Sequence, residues 1–501
     1  MRGNIQWSGG TTRETIADAG RVQGNFPRPD PILIARDEAI FLLHTATEIE
    51  HSLMVQYLYA AMTLNLGKDK PDADTPEWQR VILGVAKEEM GHFITVLNLL
   101  RLIGGPLNFE REDTPFRSEY YPFHFSLRPL SEKPPTGDNW DQAGSLNRYI
   151  AAEMPPVEEI KDPDDLRDVA EALGRGNAAG LLARGNQLEI NQVGLLYARL
   201  IEIFEDEQTL SKDDFLACKD IEGYLADAGT WDRAGEHFDV LVLPTRNRKE
   251  AIEALRQIAE QGEGQGQKVD AGSHFQKFLK IYRRLRERRK TDPGFNPALP
   301  VPQDPTTLAI PENQIQLASQ ERELRDRRQT RITHKAARLW VQLFDLRYRM
   351  TLGLIMHHML LDAKRGPDSE MPRRALANAA LTEMHSLGWL ARAIVRRPLT
   401  DSADDQRAAP SFELPYTFAF PDREADRARV HLAVLGAVEL LVKRLADTDQ
   451  EMTEGEKGLL HGLTLRDLML KRLCEEIAAK KKKWCRCDEE EKTNDEEEET
   501  V

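Results

Sequence analysis

LHTATEIEHSLMVQYLYAAMTLNL, residues 43–66, and VAKEEMGHFITVLNLLRLIGG, residues 85–105, carry the clearest helical signal in the chain. Both place apolar residues at three-to-four spacing and hold no interior proline, the pattern of long helices with one buried stripe. Both also carry acids or histidines inside that stripe. Glu50 lies three to seven residues from Ala46, Leu53, Met54 and Tyr57, positions that share its face. Glu89 and His92 form Glu-x-x-His, with Val85, Ala86, Phe93 and Val96 on the same side.

An ionised carboxylate turned toward a core is costly unless it is paired or bound to metal. Glu-x-x-His on a helix aims an oxygen and an imidazole nitrogen at one point, and bundles that hold paired metals combine it with a Glu from a neighbouring helix. Alone, the motif also occurs as a surface pair. Its coupling to an inward Glu50 one helix upstream favours a metal site.

Glu50, Tyr57 and Tyr59, then Glu89-Met-Gly-His92 and Gly104-Gly105, resemble the first helix pair of the ferritin-like superfamily. EIEHSLMVQYLYAA, EEMGHF, NQVGLLY, the QGEG at Gln261–Gly264 and SHFQKF at Ser273–Phe278 are similar to its iminophenyl-pyruvate dimer synthase branch. The resemblance spans roughly residues 32–290. It implies a ferritin-like four-helix bundle, and the apolar spacing beyond residue 314 adds a second helical bundle, so an all-α chain is expected.

The resemblance also implies two further ligand contributions, a Glu from a third helix and a Glu-x-x-His from a fourth. The sequence departs from both. His274 is present in SHF, but Ala271 stands three residues before it, leaving Asp270 or Glu263 as the nearest carboxylate. In the third helix the family position falls on Leu195, with Glu189 and Glu202 nearby; Glu153, in AAEMPP, is another candidate. The candidate ligand set is Glu50, Glu89, His92 and His274, and a full di-iron site would add Asp270 or Glu263 and one of Glu189, Glu202 or Glu153. Without those additions, the first four would hold a single iron. Two imidazoles with carboxylates and open positions suit Fe(II) and oxygen chemistry. Tyr57 is the candidate catalytic residue beside the metal. His44 and His51 share a different stripe with Glu48 and either orient a ligand or pack the helices.

The chain has 501 residues and a formal net charge of −15. Residues 488–501, DEEEKTNDEEEETV, hold nine acids and one lysine, a net of −8, so the rest is only mildly acidic. That excludes nucleic acid as the main partner. No apolar run reaches membrane-spanning length. The four cysteines form no zinc pattern, MRGNIQWSGGTTRET lacks a secretory core, and a cytoplasmic location is expected. The expected organisation is a lead-in over 1–31, the ferritin-like domain over 32–290 and a Pro-rich linker over 291–314. A C-terminal helical domain over 315–479 and a disordered acidic tail over 480–501 follow. Four helices are expected beyond the linker, at about 318–364, 370–397, 425–448 and 454–483. Val240–Leu243 is the one strand-like run. The long connection 106–145, with Phe123, His124 and Phe125, shapes a pocket mouth or packs on the bundle.

The resulting expectation is an iron- and dioxygen-dependent oxidase or oxygenase with a small aromatic substrate, either as a monomer or a homo-oligomer. The family resemblance implies oxidative coupling of an imine made from an aromatic α-amino acid, in secondary metabolism. A hydroxylase or desaturase is the other enzymatic reading. An iron-storage protein and a metal-free helical scaffold are the readings from other classes.

Overall fold

The computed structural model describes residues 33–67, 74–111, 121, 123–137, 139–184, 193–231, 240–263, 272–308, 330–365, 367–402, 405–414 and 419–479. The lead-in, the acidic tail, Glu189 and Asp270 lie outside them.

The described residues are overwhelmingly helical, as expected for an all-α chain. Their one strand pairing is Pro305–Thr306 running parallel to Thr330–Arg331. The chain divides into two compact units, 1–331 with 405–409, and 332–404 with 410–501. The Pro-rich stretch after Thr291 stays tied to the first unit. Asn65 N–H donates to the Pro297 carbonyl at 2.8 Å and Leu299 N–H to Thr63 at 2.9 Å.

In the first unit, α1 (Ala35–Met62) and α2 (Asp74–Leu102) form the longest helix pair. They run antiparallel. Arg36, in the first turn of α1, donates to the Ile103 carbonyl at 3.1 Å, while Gln79, early in α2, donates to Ala61 at 2.9 Å. Gly104 ends α2 at φ +68°, a left-handed conformation in which glycine avoids the Cβ clash. Most of α1 is buried on all sides, so neighbours must cover more than one stripe of it.

Those neighbours follow in order. They are α3 (Ser145–Glu153), α4 (Pro163–Ala172), α5 (Ala178–Arg184), α6 (Val193–Glu205), the single turns α7 (Cys218–Ile221) and α8 (Ala228–Trp231), α9 (Arg248–Glu263) and α10 (His274–Thr291). The α6 helix packs against α1 and α9, and α10 packs against α2, α3 and α9. Ser273 caps α10 by accepting from Gln276 N–H, which fixes where the helix begins and so where His274 points.

Val240–Leu243 forms no strand. The α2 side chains satisfy its backbone instead: Thr95 donates to the Leu241 carbonyl at 2.8 Å and accepts from Leu243 N–H at 3.1 Å. Asn98 donates to the Leu243 carbonyl at 2.9 Å. An extended segment needs its polar groups paired, but the partner need not be another strand. Gly91 permits this approach, since a Cβ there would lie 2.8 Å from the Leu241 oxygen.

The second unit is built from α11 (Lys335–Leu360), α12 (Pro367–Ile394), α13 (Glu424–Thr448) and α14 (Glu454–Ala479), close to the four expected helices. The first of these begins later than expected, at Lys335, with His334 capping it by accepting from Ala337 N–H. Arg347, fully buried on α11, pairs with Glu383 of α12 at 3.0 Å and Asp467 of α14 at 2.6 Å. Glu383, of the Glu383-Met-His385 stretch, is thus a core ion-pair partner.

Candidate metal centre

Two overlapping triads of buried side chains lie inside the first unit: Glu50, Glu89 and His92, then Glu89, Glu153 and His274. Within each triad the possible ligand atoms all lie within 4.8 Å of one another. Four helices supply them. Glu50 comes from α1, Glu89 and His92 from α2, Glu153 from the last residue of α3, and His274 from the first residue of α10. Glu89 is shared. Its Oε2 lies 2.9 Å from His92 Nδ1, and its Oε1 lies 3.1 Å from His274 Nδ1. Glu50 Oε2 is 3.5 Å from His92 Nδ1, and Glu153 Oε2 is 3.5 Å from His274 Nδ1. The two imidazoles face each other with ring centres 5.5 Å apart.

Four of these five groups have a partner behind them. The Tyr197 hydroxyl donates to Glu50, and the Tyr57 hydroxyl donates to Glu153. His92 Nε2 bonds Gln261 Oε1 at 2.8 Å. His274 Nε2 bonds Glu88 at 2.7 Å, and Lys277 Nζ holds the same carboxylate at 2.6 Å. A small cavity opens onto Glu50, Glu89, His92 and Glu153, walled by Leu53, Val193, Tyr197, Ile258, Ala259 and Gly262. Gly262, at the end of α9, borders the cavity on the Glu153 side.

Burial and the facing Glu89 charge push the Glu50 carboxyl up to about 7. Burial opposes charge on His92, yet its hydrogen bonds and attraction to Glu50 and Glu89 raise it to about 10. Burial likewise opposes charge on His274, but Glu89, Glu153 and Glu88 hold it well above the usual imidazole value. Burial raises Glu89, and the His274 charge overcomes it and brings the carboxyl below its ordinary value. Three carboxylates thus converge on two imidazoles in a water-poor interior, an arrangement that calls for positive charge.

The residues fit a metal. Glu89 Oε1 and His274 Nδ1 face each other at 3.1 Å, yet both are buried without a hydrogen bond. Such atoms are costly unless something else satisfies them. Carboxylate oxygens with imidazole nitrogens suit iron, manganese or zinc.

Of the sequence candidates, Glu50, Glu89, His92 and His274 come together, with Tyr57 beside them. Glu189 and Asp270 fall outside the described residues, as does the Glu263 side chain. Glu153, one of three candidates for the third-helix carboxylate, stands in the cluster. Glu202 does not: it pairs with Arg199 at 3.0 Å. Helix α6 contributes Tyr197 instead, which sequence reasoning missed, although its place in NQVGLLY was a signal. Tyr59 is turned away and donates to the Pro302 carbonyl. His44 and His51 bond the Pro106 carbonyl at 3.1 Å and the Glu110 carbonyl at 3.3 Å, anchoring the loop after α2. Phe123 packs under Arg148 of α3, so this part of the connection folds onto the bundle, while Phe125 packs under Arg111 of the connection itself.

A family model described as Ferritin-like matches residues 43–283. The chain is 26% identical over 471 residues to dichlorochromopyrrolate synthase of Lentzea aerocolonigenes. That match covers 85% of this chain and 40% of the relative, so the chain spans well under half of that protein's length. No solved structure matches. Among the described residues no helix is long and apolar enough to cross a membrane.

Proposed function

Taking as premise that residues 43–283 are a ferritin-like domain, we propose that the protein is a metal-dependent oxidative enzyme of biosynthesis, with iron at the Glu50–Glu89–Glu153 centre and dioxygen as oxidant. The observation that carries this reading is the shared Glu89, flanked by two imidazoles and two further carboxylates, all buried beside a cavity. Glu50, Glu89 and His92 would hold one ion, and Glu89, Glu153 and His274 a second. Once bound, such a pair supplies redox-active Lewis acidity next to an enclosed space.

The chain's own residues have separable tasks. Tyr57 and Tyr197 hold Glu153 and Glu50 in place by donating to them. Leu53, Val193, Ile258 and Ala259 wall a cavity of about water size beside the carboxylates, which limits the water that reaches the centre. A scaffold would have no use for five ionisable side chains buried together at such a cost.

The substrate class is drawn from the family resemblance and from the relative's name. It is an imine derived from an aromatic α-amino acid. Two molecules, as enamine tautomers, would join through a new carbon–carbon bond. Two electrons and two protons would leave to dioxygen, which becomes hydrogen peroxide.

The test loads the purified chain with Fe(II) without air, then supplies oxygen and an aromatic α-imino acid generated in place. Oxygen uptake with a product of twice the imine mass less two hydrogens is the expected result. Uptake without that product rejects the coupling and keeps the oxidative enzyme. A chain that takes up no iron rejects both.

A further inference from the structure

The two imidazoles have the same inward geometry and different outward partners. Each turns Nδ1 toward Glu89, at 2.9 Å for His92 and 3.1 Å for His274. Behind His92, Nε2 meets a neutral amide oxygen, Gln261 Oε1, at 2.8 Å. Behind His274, Nε2 meets a buried carboxylate, Glu88, at 2.7 Å. Elsewhere the halves match: each outer carboxylate receives one tyrosine hydroxyl.

We infer that Glu88 is a positioning residue that makes the two halves unequal, so that the Glu89–Glu153–His274 half is the tighter metal site. This deepens the metal-centre reading above and rests on it. A carboxylate can only accept, so it fixes the proton on His274 Nε2 and leaves Nδ1 free to ligate. A charge-assisted bond also pulls that proton outward more strongly than an amide does, making Nδ1 a better donor to a cation. Lys277, one turn after His274 on α10, binds both Glu88 oxygens, at 2.6 and 2.8 Å. The same helix therefore carries the ligand and the cation that locks the ligand's support. Because Lys277 offsets the Glu88 charge, the effect acts through the His274 ring rather than through an added negative charge at the site.

The experiment titrates the metal-free full chain with Co(II), following its absorption and the metal retained after gel filtration. Wild type is expected to bind in two steps, one tight and one weaker. Glu88→Gln lowers the tight step by about 10–100-fold, the usual cost of losing such a partner, and leaves the weaker step and the helical circular dichroism unchanged. Gln261→Glu, which gives His92 a carboxylate of the same shape, raises the weaker step toward the tight one. A Glu88→Gln titration that overlays wild type, or that weakens both steps equally, overturns the inference and leaves the two-metal reading intact. Should Glu88→Gln fail to fold, Gln261→Glu decides, and no gain in the weaker step overturns the inference. Wild type that binds no Co(II) overturns this inference and the metal reading together.

Discussion

His274 Nδ1 and Glu89 Oε1 lie 3.1 Å apart at the centre of the first unit and make no hydrogen bond with each other or with anything else. They belong to helices 185 residues apart in sequence, brought to one point by the packing of α10 on α2. A cation between Glu89 and His274 would satisfy both atoms at once.

Because Glu89 belongs to both triads, its loss differs from the loss of either outer carboxylate. Glu89→Ala is expected to leave the purified, iron-loaded chain with almost no bound iron. Glu50→Ala and Glu153→Ala should each keep about one of the two equivalents. Iron per chain by plasma emission checks this, with circular dichroism confirming that the helices remain.

Tyr57→Phe removes the hydroxyl that donates to Glu153 while keeping the ring's edge-on contact with Tyr149 and its tilted contact with Phe278. A lost bond to a buried charged group costs about 1.5–3 kcal/mol. The metal-free variant should be less stable by that amount in urea. Bound metal recovers much of the loss, since the carboxylate then has another partner.

Gly91→Ala introduces a Cβ 2.8 Å from the Leu241 backbone oxygen, inside the run between Glu89 and His92. The 240–243 segment must move away, and overpacking of this kind costs about 1–3 kcal/mol. A lower melting temperature together with weaker metal retention is the expected pair of results, because the same displacement shifts the helical turn that carries both ligands.

The second unit should be sensitive to acid. Burial, with the nearby Arg373 charge, holds the His358 imidazole down at about 3. Its unfolded value is about 6.5. The unfolded chain therefore binds the proton first. The stability that neutral His358 confers is complete above about pH 6.5 and falls as pH drops toward 3, by up to about 1.4 kcal/mol per pH unit. Urea midpoints of the second-unit transition at pH 7 and pH 5 would show the slope, and His358→Gln should reduce it, leaving the part due to His431, which burial also holds well below its ordinary value.

Much of the site was legible because its signals are local. The Glu89–His92 pair is three residues apart on one helix, and helical geometry alone puts both on one face. Glu50 stood out as a charge in an apolar stripe. Glu153 was legible only as one candidate among several. It closes a short helix before Pro155-Pro156, and nothing in its neighbours ties it to α10. Glu88, one residue before the motif, was not singled out by the sequence pattern. Its role depends on Lys277 and His274, both on a helix far along the chain. The strand-like Val240–Leu243 misled for the same reason: its composition is that of a strand, but its partners are Thr95 and Asn98 side chains.

Helical character, the pairing of α1 with α2 and a carboxylate–imidazole centre on that pair can be read from residues 43–105 alone. Those follow from periodicity and from the cost of burying charge, which act over a few residues. The third carboxylate of that centre, the hold of Tyr57 and Tyr197 on one outer ligand each, and the unlike partners behind the two histidines emerge from three-dimensional packing. Those choices depend on how α3, α6, α9 and α10 pack around the first pair, and packing at long sequence separation leaves no local pattern to read.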